Sequence, residues 1–257
     1  MLQNAHLERG SFTWQAGPTG VLLIHGFTAT TAEVRPLAQA LFSAGFSVSA
    51  PLLPGHGTTP EDANHYTWQD WTNSVKTAYR ELKSQCERIF IAGESMGSVI
   101  ALYLAASTPQ ISGVIVYAPA VKLRSSFVVP TARLLSLIRS TVKKPPSPPS
   151  VVDGLWQGYP VYPLKALVQF INLQDYTLSH LSAIHQPLLI VQGRKDRSVS
   201  PQAPEIIVSR VKSSMIEVHW LEESGHCVIL DTERDNAIQI TQSFITRTLA
   251  NDSANLR

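Results

Sequence analysis

Ser95 stands in Gly93-Glu94-Ser95-Met96-Gly97, with a glycine two residues away on either side. A serine hydroxyl is a poor nucleophile until a neighbouring base takes its proton. It must also stand where substrate can reach it, and a sharp strand-to-helix turn of the G-x-S-x-G type achieves this. The context fits: RIFIAG (88–93) reads as a strand, and MGSVIALYLAAST (96–108) as the helix after it. The base should then come late in the chain, after an acid. Asp196 follows the apolar run PLLIVQG (187–193) within three residues, and His226 follows MIEVHWL (215–221) within five. In those positions His226 would take the Ser95 proton and later return it to the leaving group, a contribution of roughly 10² to 10⁴ in rate. Asp196 would fix the imidazole tautomer and stabilise the imidazolium. Glu222, Glu223 and Asp231 lie too close to His226 in the chain to orient it easily. A tetrahedral oxyanion needs backbone N–H donors. Met96, at the start of the helix, offers one; Phe27, in His25-Gly26-Phe27-Thr28, is the best candidate for the other. The Phe27 ring could equally pack against another part of the chain while its amide still donates.

These residues need elements that bring them to one edge. The apolar runs VLLIHG (21–26), FSVSAP (46–51), RIFIAG (88–93), GVIVYAP (113–119), PLLIVQG (187–193) and MIEVHWL (215–221) are strand-sized and close on Gly, Pro or a polar residue. Their near-continuous apolarity predicts strands buried on both faces, as in a parallel sheet. A piece around residues 12–14 could add an antiparallel edge. Between the runs lie helix signals: Thr67 with Asp70 three residues later forms a capping-box pattern, Ser200-Pro201 marks a start, and Asp231 to Glu233 places acids before the last helix. The alternation predicts an α/β chain with a mostly parallel, doubly wound sheet. Ser95, Asp196, His226 and the Phe27 loop then all project from the C-terminal edge of the strands, where such sheets bind ligands.

Residues 120–181 break the rhythm. They contain no convincing strand but an amphipathic piece over 131–144, a proline tract (Pro145-Pro146-Ser147-Pro148-Pro149) and several aromatics. An insertion of this length predicts a helical cap, or lid, over the strand ends. The expected organisation is a core domain of residues 1–119 and 182–257 with a cap of 120–181. Leu134, Leu135, Ile138 and Val142 recur at helical spacing and should face the site, while the proline tract reads as a stiff connector.

A formal charge of +2 is too small to suggest nucleic acid as a partner. No apolar stretch reaches the roughly 18 to 20 residues of a membrane span, and the first residues carry no secretory pattern, so a cytoplasmic location is expected. No His and acid spacing resembles a zinc site, and no metal is assigned. Cys86 and Cys227 fall at opposite edges of the expected sheet and read as free thiols. Cys227 is adjacent to His226 in sequence, and adjacent residues are rarely placed to act as a Cys–His nucleophile and base. His25 and His56 sit in turns and read as loop-stabilising. Lys122, Arg124, Arg133, Arg139, Lys143 and Lys144 have no acid among them. That basic stretch is either a solvated cap exterior or a face for transient contact with a lipid surface.

HGFT (25–28), PGHGTTPED (54–62), WQDW (68–71), GESMG (93–97), the Asp196 loop and SGH (224–226) together resemble the bacterial carboxylesterase and monoacylglycerol lipase group of the α/β-hydrolase fold. The resemblance covers nearly the whole chain apart from the cap. It implies a triad of Ser95, Asp196 and His226, an oxyanion hole of the Phe27 and Met96 amides, and hydrolysis of small carboxylic esters without metal or organic cofactor. The chain departs from the group at Glu94, where relatives often carry Leu; Glu94 is either a variable position or an added charge beside the site. The cap departs more widely. An esterase for short to medium acyl chains is expected first and a monoacylglycerol lipase second. A thioesterase or carbon–carbon bond hydrolase with the same triad ranks lower, and a hydrolase-fold scaffold without activity lowest.

Overall fold

The computed structural model describes residues 2–146 and 150–255. Along the first half of the chain run β1 (Phe12–Trp14), β2 (Thr19–Ile24), α1 (Arg35–Ser43), β3 (Ser47–Ala50), α2 (Pro60–Ala63), α3 (Trp68–Lys83), β4 (Arg88–Glu94), α4 (Met96–Ser107) and β5 (Gly113–Tyr117). An insertion follows, with α5 (Val128–Leu135), β6 (Thr141–Lys143), β7 (Val161–Pro163) and α6 (Leu164–His180). The chain then returns through β8 (Leu188–Gly193), α7 (Ala203–Val208), β9 (Ile216–Leu221) and α8 (Arg234–Asn255). Seven strands make one sheet in the order β1-β3-β2-β4-β5-β8-β9. All neighbours are parallel except β1, which pairs antiparallel with β3 from Phe12 opposite Ala50 to Trp14 opposite Val48.

The apolar runs are continuous because both faces of the sheet are covered. Leu22, Ile24, Ile89, Ile91, Val114, Val116, Leu188 and Ile190 point to one face, where Trp71 and Val75 of α3, Val99 and Ile100 of α4, and Phe170 and Ile171 of α6 meet them. Val21, Leu23, Phe90, Ala92, Ile115, Leu189 and Val191 point to the other, against Leu37 and Leu41 of α1 and Phe244 and Ile245 of α8. The period of two along each strand thus feeds two cores. α3 starts at the expected capping box: the Asp70 amide donates to Thr67 Oγ1, and the Thr67 amide donates to Asp70 Oδ2.

The insertion departs from a purely helical reading. α5 ends at Leu135, and the chain turns into β6, which pairs antiparallel with β7 through Val142 opposite Tyr162. Helical register is therefore lost after Leu135. Leu135 and Val142 pack inward, but Leu134 and Ile138 are 68% and 76% exposed rather than facing the site. Ser147, Pro148 and Pro149 of the proline tract lie outside the described residues. At Ser200-Pro201 the helix begins later than the sequence signal: α7 opens at Ala203, and Ser200 Oγ accepts from the Gln202 amide in the preceding turn.

Candidate active site

β4 and α4 meet in a turn whose apex is Ser95, with φ 55° and ψ −112°. A non-glycine residue at positive φ is uncommon and costs of order 1 to 3 kcal/mol. Close packing around the turn holds it there. A Cβ on Gly93 would lie 2.2 Å from Gly97 C and O, and one on Gly97 would lie 2.1 Å from Ile24 O. Only glycine lets helix α4 approach β2 and β4 this closely. Ser98 adds a clamp, its hydroxyl lying 2.6 Å from Gly93 O and 2.8 Å from Tyr117 O. Met96 opens α4, and amides of a first helical turn have no partner within the helix.

His226 lies in the loop after β9, with Nε2 2.9 Å from Ser95 Oγ and Nδ1 2.9 Å from Asp196 Oδ2. Asp196 lies in the loop after β8. Its Oδ1 accepts from the Ser198 amide at 2.7 Å and the Val199 amide at 2.9 Å; its Oδ2 also accepts from Gln192 Nε2 at 2.9 Å. Burial pushes the Asp196 carboxyl up, yet the His226 ring and these donors outweigh it and hold it below the usual range. For His226, burial works downward; the Asp196 charge and hydrogen bond prevail, with Glu33 adding to them, and the ring is held above its ordinary value. With Nδ1–H donated to Asp196, Nε2 is the free base facing the serine. Burial and neighbouring carboxyls push the Cys227 thiol well up, which keeps it protonated and poorly nucleophilic.

Two acids just before the last helix, Asp231 and Glu233, brace the His226 loop. Asp231 Oδ2 accepts from the Gly225 amide at 2.7 Å. Glu233 Oε2 accepts from the Glu223 amide and the Ser224 hydroxyl, both at 2.8 Å. The Asp196 loop is braced from the insertion: the Arg124 amide donates to Ser198 O and its guanidinium to Asp196 O, each at 2.9 Å.

The loop after β2 stands beside the serine. His25 Nδ1 donates to Gly26 O at 2.9 Å, and its Nε2 accepts from the Leu53 amide at 3.1 Å. Burial drives His25 down to about 3 and His56 to about 4. Both rings are therefore neutral loop supports. The Phe27 ring stacks on Tyr162 and meets Phe170 at a tilt, with centroids 6.5 and 5.6 Å away, so the side chain does pack against the insertion. Segment 156–159 is fastened to the same loop. The Tyr159 amide donates to Thr28 O at 3.0 Å, Thr30 Oγ1 donates to Gln157 Oε1 at 2.8 Å, and Lys144 Nζ donates to Thr28 Oγ1 at 2.6 Å.

Glu94 and Glu33 are both buried next to these groups. Glu94 Oε1 accepts from the Val228 amide at 3.2 Å, and burial together with Glu33 raises its carboxyl well above the usual range. Among the described residues no group of three or more His, Cys, Asp or Glu is placed to hold a metal ion. No helix among them is long and apolar enough to cross a membrane.

A seven-stranded sheet of this order, an elbow serine, and a histidine and acid from the next loops of the same edge define the chain as a serine hydrolase of the α/β-hydrolase fold. Comparison with known proteins agrees: the model of the serine aminopeptidase, S33, family matches residues 18–150 and 159–233, and the chain belongs to that family. It is 35% identical over 241 residues to the thermostable monoacylglycerol lipase of Bacillus sp. (strain H-257), covering 92% of this chain and 94% of that protein. To the carboxylesterase of Bacillus subtilis (strain 168) it is 32% identical over 237 residues, covering 92% and 96%. A solved structure among the metagenome-derived lipolytic enzymes LipS and LipT superposes with a TM-score of 0.86 at 28% identity, covering 93% of this chain and 98% of that one.

Proposed function

We propose that the protein hydrolyses carboxylic esters of short to medium acyl chain through an acyl-enzyme on Ser95. The observation that carries this reading is the continuous chain Ser95 Oγ, His226, Asp196, with 2.9 Å at each link. As Ser95 Oγ attacks the ester carbonyl carbon, its proton passes to His226 Nε2. The carbonyl oxygen becomes an oxyanion held by the Phe27 and Met96 amides, and Asp196 stabilises the imidazolium. His226 then protonates the departing alcohol, and the C–O bond to it breaks. A water, deprotonated by His226, attacks the acyl-enzyme, and the acid leaves as Ser95 recovers its proton. Residues 120–181 act in this reading as the lid that shapes the acyl and alcohol sites, with Phe27, Tyr162 and Phe170 forming apolar wall.

Turnover of nitrophenyl esters by wild type and Ser95→Ala, with a serine-directed phosphonate as probe, tests this. Undiminished turnover by the alanine variant would sink the mechanism. A monoacylglycerol lipase is the second reading, favoured by the 35% identity to a Bacillus protein of that name. A sharp preference for monoacylglycerol over C4 esters would put it first. We further propose transient contact of the insertion with a lipid surface. Phe127, Leu134, Leu137 and Ile138 are 68 to 79% exposed, and Arg124, Arg139 and Lys143 flank them in sequence. Co-sedimentation with anionic vesicles should fall on Leu137→Ser; equal binding by the two proteins would exclude this face.

A further inference from the structure

Glu33 has no place in the triad, yet its carboxylate touches three parts of the site. It lies between β2 and α1, only 2% exposed. Its Oε2 accepts from the Gly26 amide at 2.5 Å, one residue before Phe27. Its Oε1 accepts from Trp156 Nε1 of the insertion at 3.1 Å and lies 4.0 Å from Cys227 Sγ, next to His226 in the chain. A Cβ placed on Gly26 would lie 3.1 Å from Glu33 Oε2 and 3.4 Å from Ser95 Cβ, so the carboxylate and the nucleophile flank the same glycine.

A buried carboxylate with two N–H donors is costly unless it serves a charge or holds a geometry. Glu33 does both. We propose that Glu33 is a positioning residue for ester hydrolysis: its carboxylate fixes the Gly26-Phe27 loop that carries one oxyanion donor, and supplies a second negative charge that supports the His226 imidazolium. The inference rests on the triad reading above.

Which of the two neighbouring acids is charged follows from their partners. Burial raises the Glu33 carboxyl above its usual value, and against it the Gly26 and Trp156 donors, with His226 and Lys144 nearby, favour the ionised form. Glu94 has backbone donors on one oxygen and none on Oε2, faces the Glu33 and Asp196 charges, and is pushed further up. The pair therefore carries one negative charge, on Glu33, while Glu94 stays neutral. The groups facing His226 are then Asp196 and Glu33, which favour the imidazolium, Lys144, which opposes it, and the neutral Cys227 and Glu94.

Glu33→Gln keeps the size and one acceptor but removes the charge. The acid limb of kcat/KM should move to lower pH, because His226 loses a stabilising anion. Its kcat should fall about tenfold with KM little changed, less than the 10² to 10³ lost with an oxyanion donor itself. Trp156→Phe tests the same idea from the other side and does not touch the sheet. Withdrawing one donor makes Glu33 easier to protonate, so the acid limb should steepen toward two protons. A merely structural Glu33 moves neither limb. Limbs identical to wild type in both variants, or in Trp156→Phe alone if Glu33→Gln does not fold, overturn the proposal. Loss of activity in Ser95→Ala alongside unchanged limbs refutes Glu33 alone; retained activity in Ser95→Ala refutes the triad itself.

Discussion

Asp196 accepts four hydrogen bonds on two oxygens, and only one comes from His226. The other three fix the carboxylate before any substrate arrives, so the imidazole is oriented by a group that cannot itself rotate. Asp196→Asn keeps the shape but presents an amide where the ring needs an acceptor, which favours the wrong tautomer. We expect kcat to fall by about 10⁴ with little change in KM. Circular dichroism should show the fold retained. The direction of the His226 shift sets the pH profile: the base must be neutral, and its ring is held above 6.5 in the folded protein. Activity should therefore decline as pH falls through a value above 6.5, with protonation of His226 as the cause. A kcat/KM profile flat down to pH 5.5 would contradict that assignment.

At the scale of elements, the elbow depends on how closely α4 approaches β2 and β4. Gly97→Ala places a methyl group 2.1 Å from Ile24 O, a backbone atom with no freedom to yield. We expect the variant to lose more than about 3 kcal/mol or to fail to fold. Gly154→Ala, where a Cβ meets nothing within 4 Å, is the matched control and should melt like wild type. Sheet and elbow were legible in the sequence for a shared reason. Strands covered on both faces need unbroken apolar runs, and a strand-to-helix turn this tight admits glycine at 93 and 97. The ends of β8 and β9 in turn located Asp196 and His226. Other features left no such mark. β6 and β7 are three residues each and sit among prolines, too short for a period of two to show. Leu134 and Ile138 have core spacing but face solvent: α5 turns Leu134 outward and ends at Leu135, before Ile138, and spacing shows neither which way a helix turns nor where it stops. Glu33 lies in a turn, TTAEVR, where an acid ordinarily meets water; the groups that meet its carboxylate include Trp156 and Cys227, distant in sequence.

Across the whole molecule, ionisable groups buried in their neutral forms limit stability from two sides. His25 and His56 are driven down to about 3 and 4 from 6.5. In the unfolded chain both take up protons below about 6.5, whereas in the fold they do not. The stability they contribute is fully present above 6.5 and is lost as pH falls toward 4 and 3, roughly 3 to 5 kcal/mol for each ring. Glu94 acts in the opposite sense. Its carboxyl is raised well above 4.5 in the fold, so the unfolded chain releases a proton that the fold retains, and stability falls as pH rises past 4.5. The melting temperature should therefore peak in mildly acidic solution and drop on both sides. Glu94→Gln keeps an acceptor for the Val228 amide and removes the ionisation. Its melting temperature should exceed that of wild type by more at pH 8 than at pH 4.5, where Glu94 is neutral in the fold and only about half ionised in the unfolded chain. Below pH 5 the two proteins should lose stability in parallel, since the histidines are common to both. A difference in melting temperature that is the same at pH 8 and pH 4.5 would show that Glu94 is ionised within the fold, and would shift the shared proton onto Glu33.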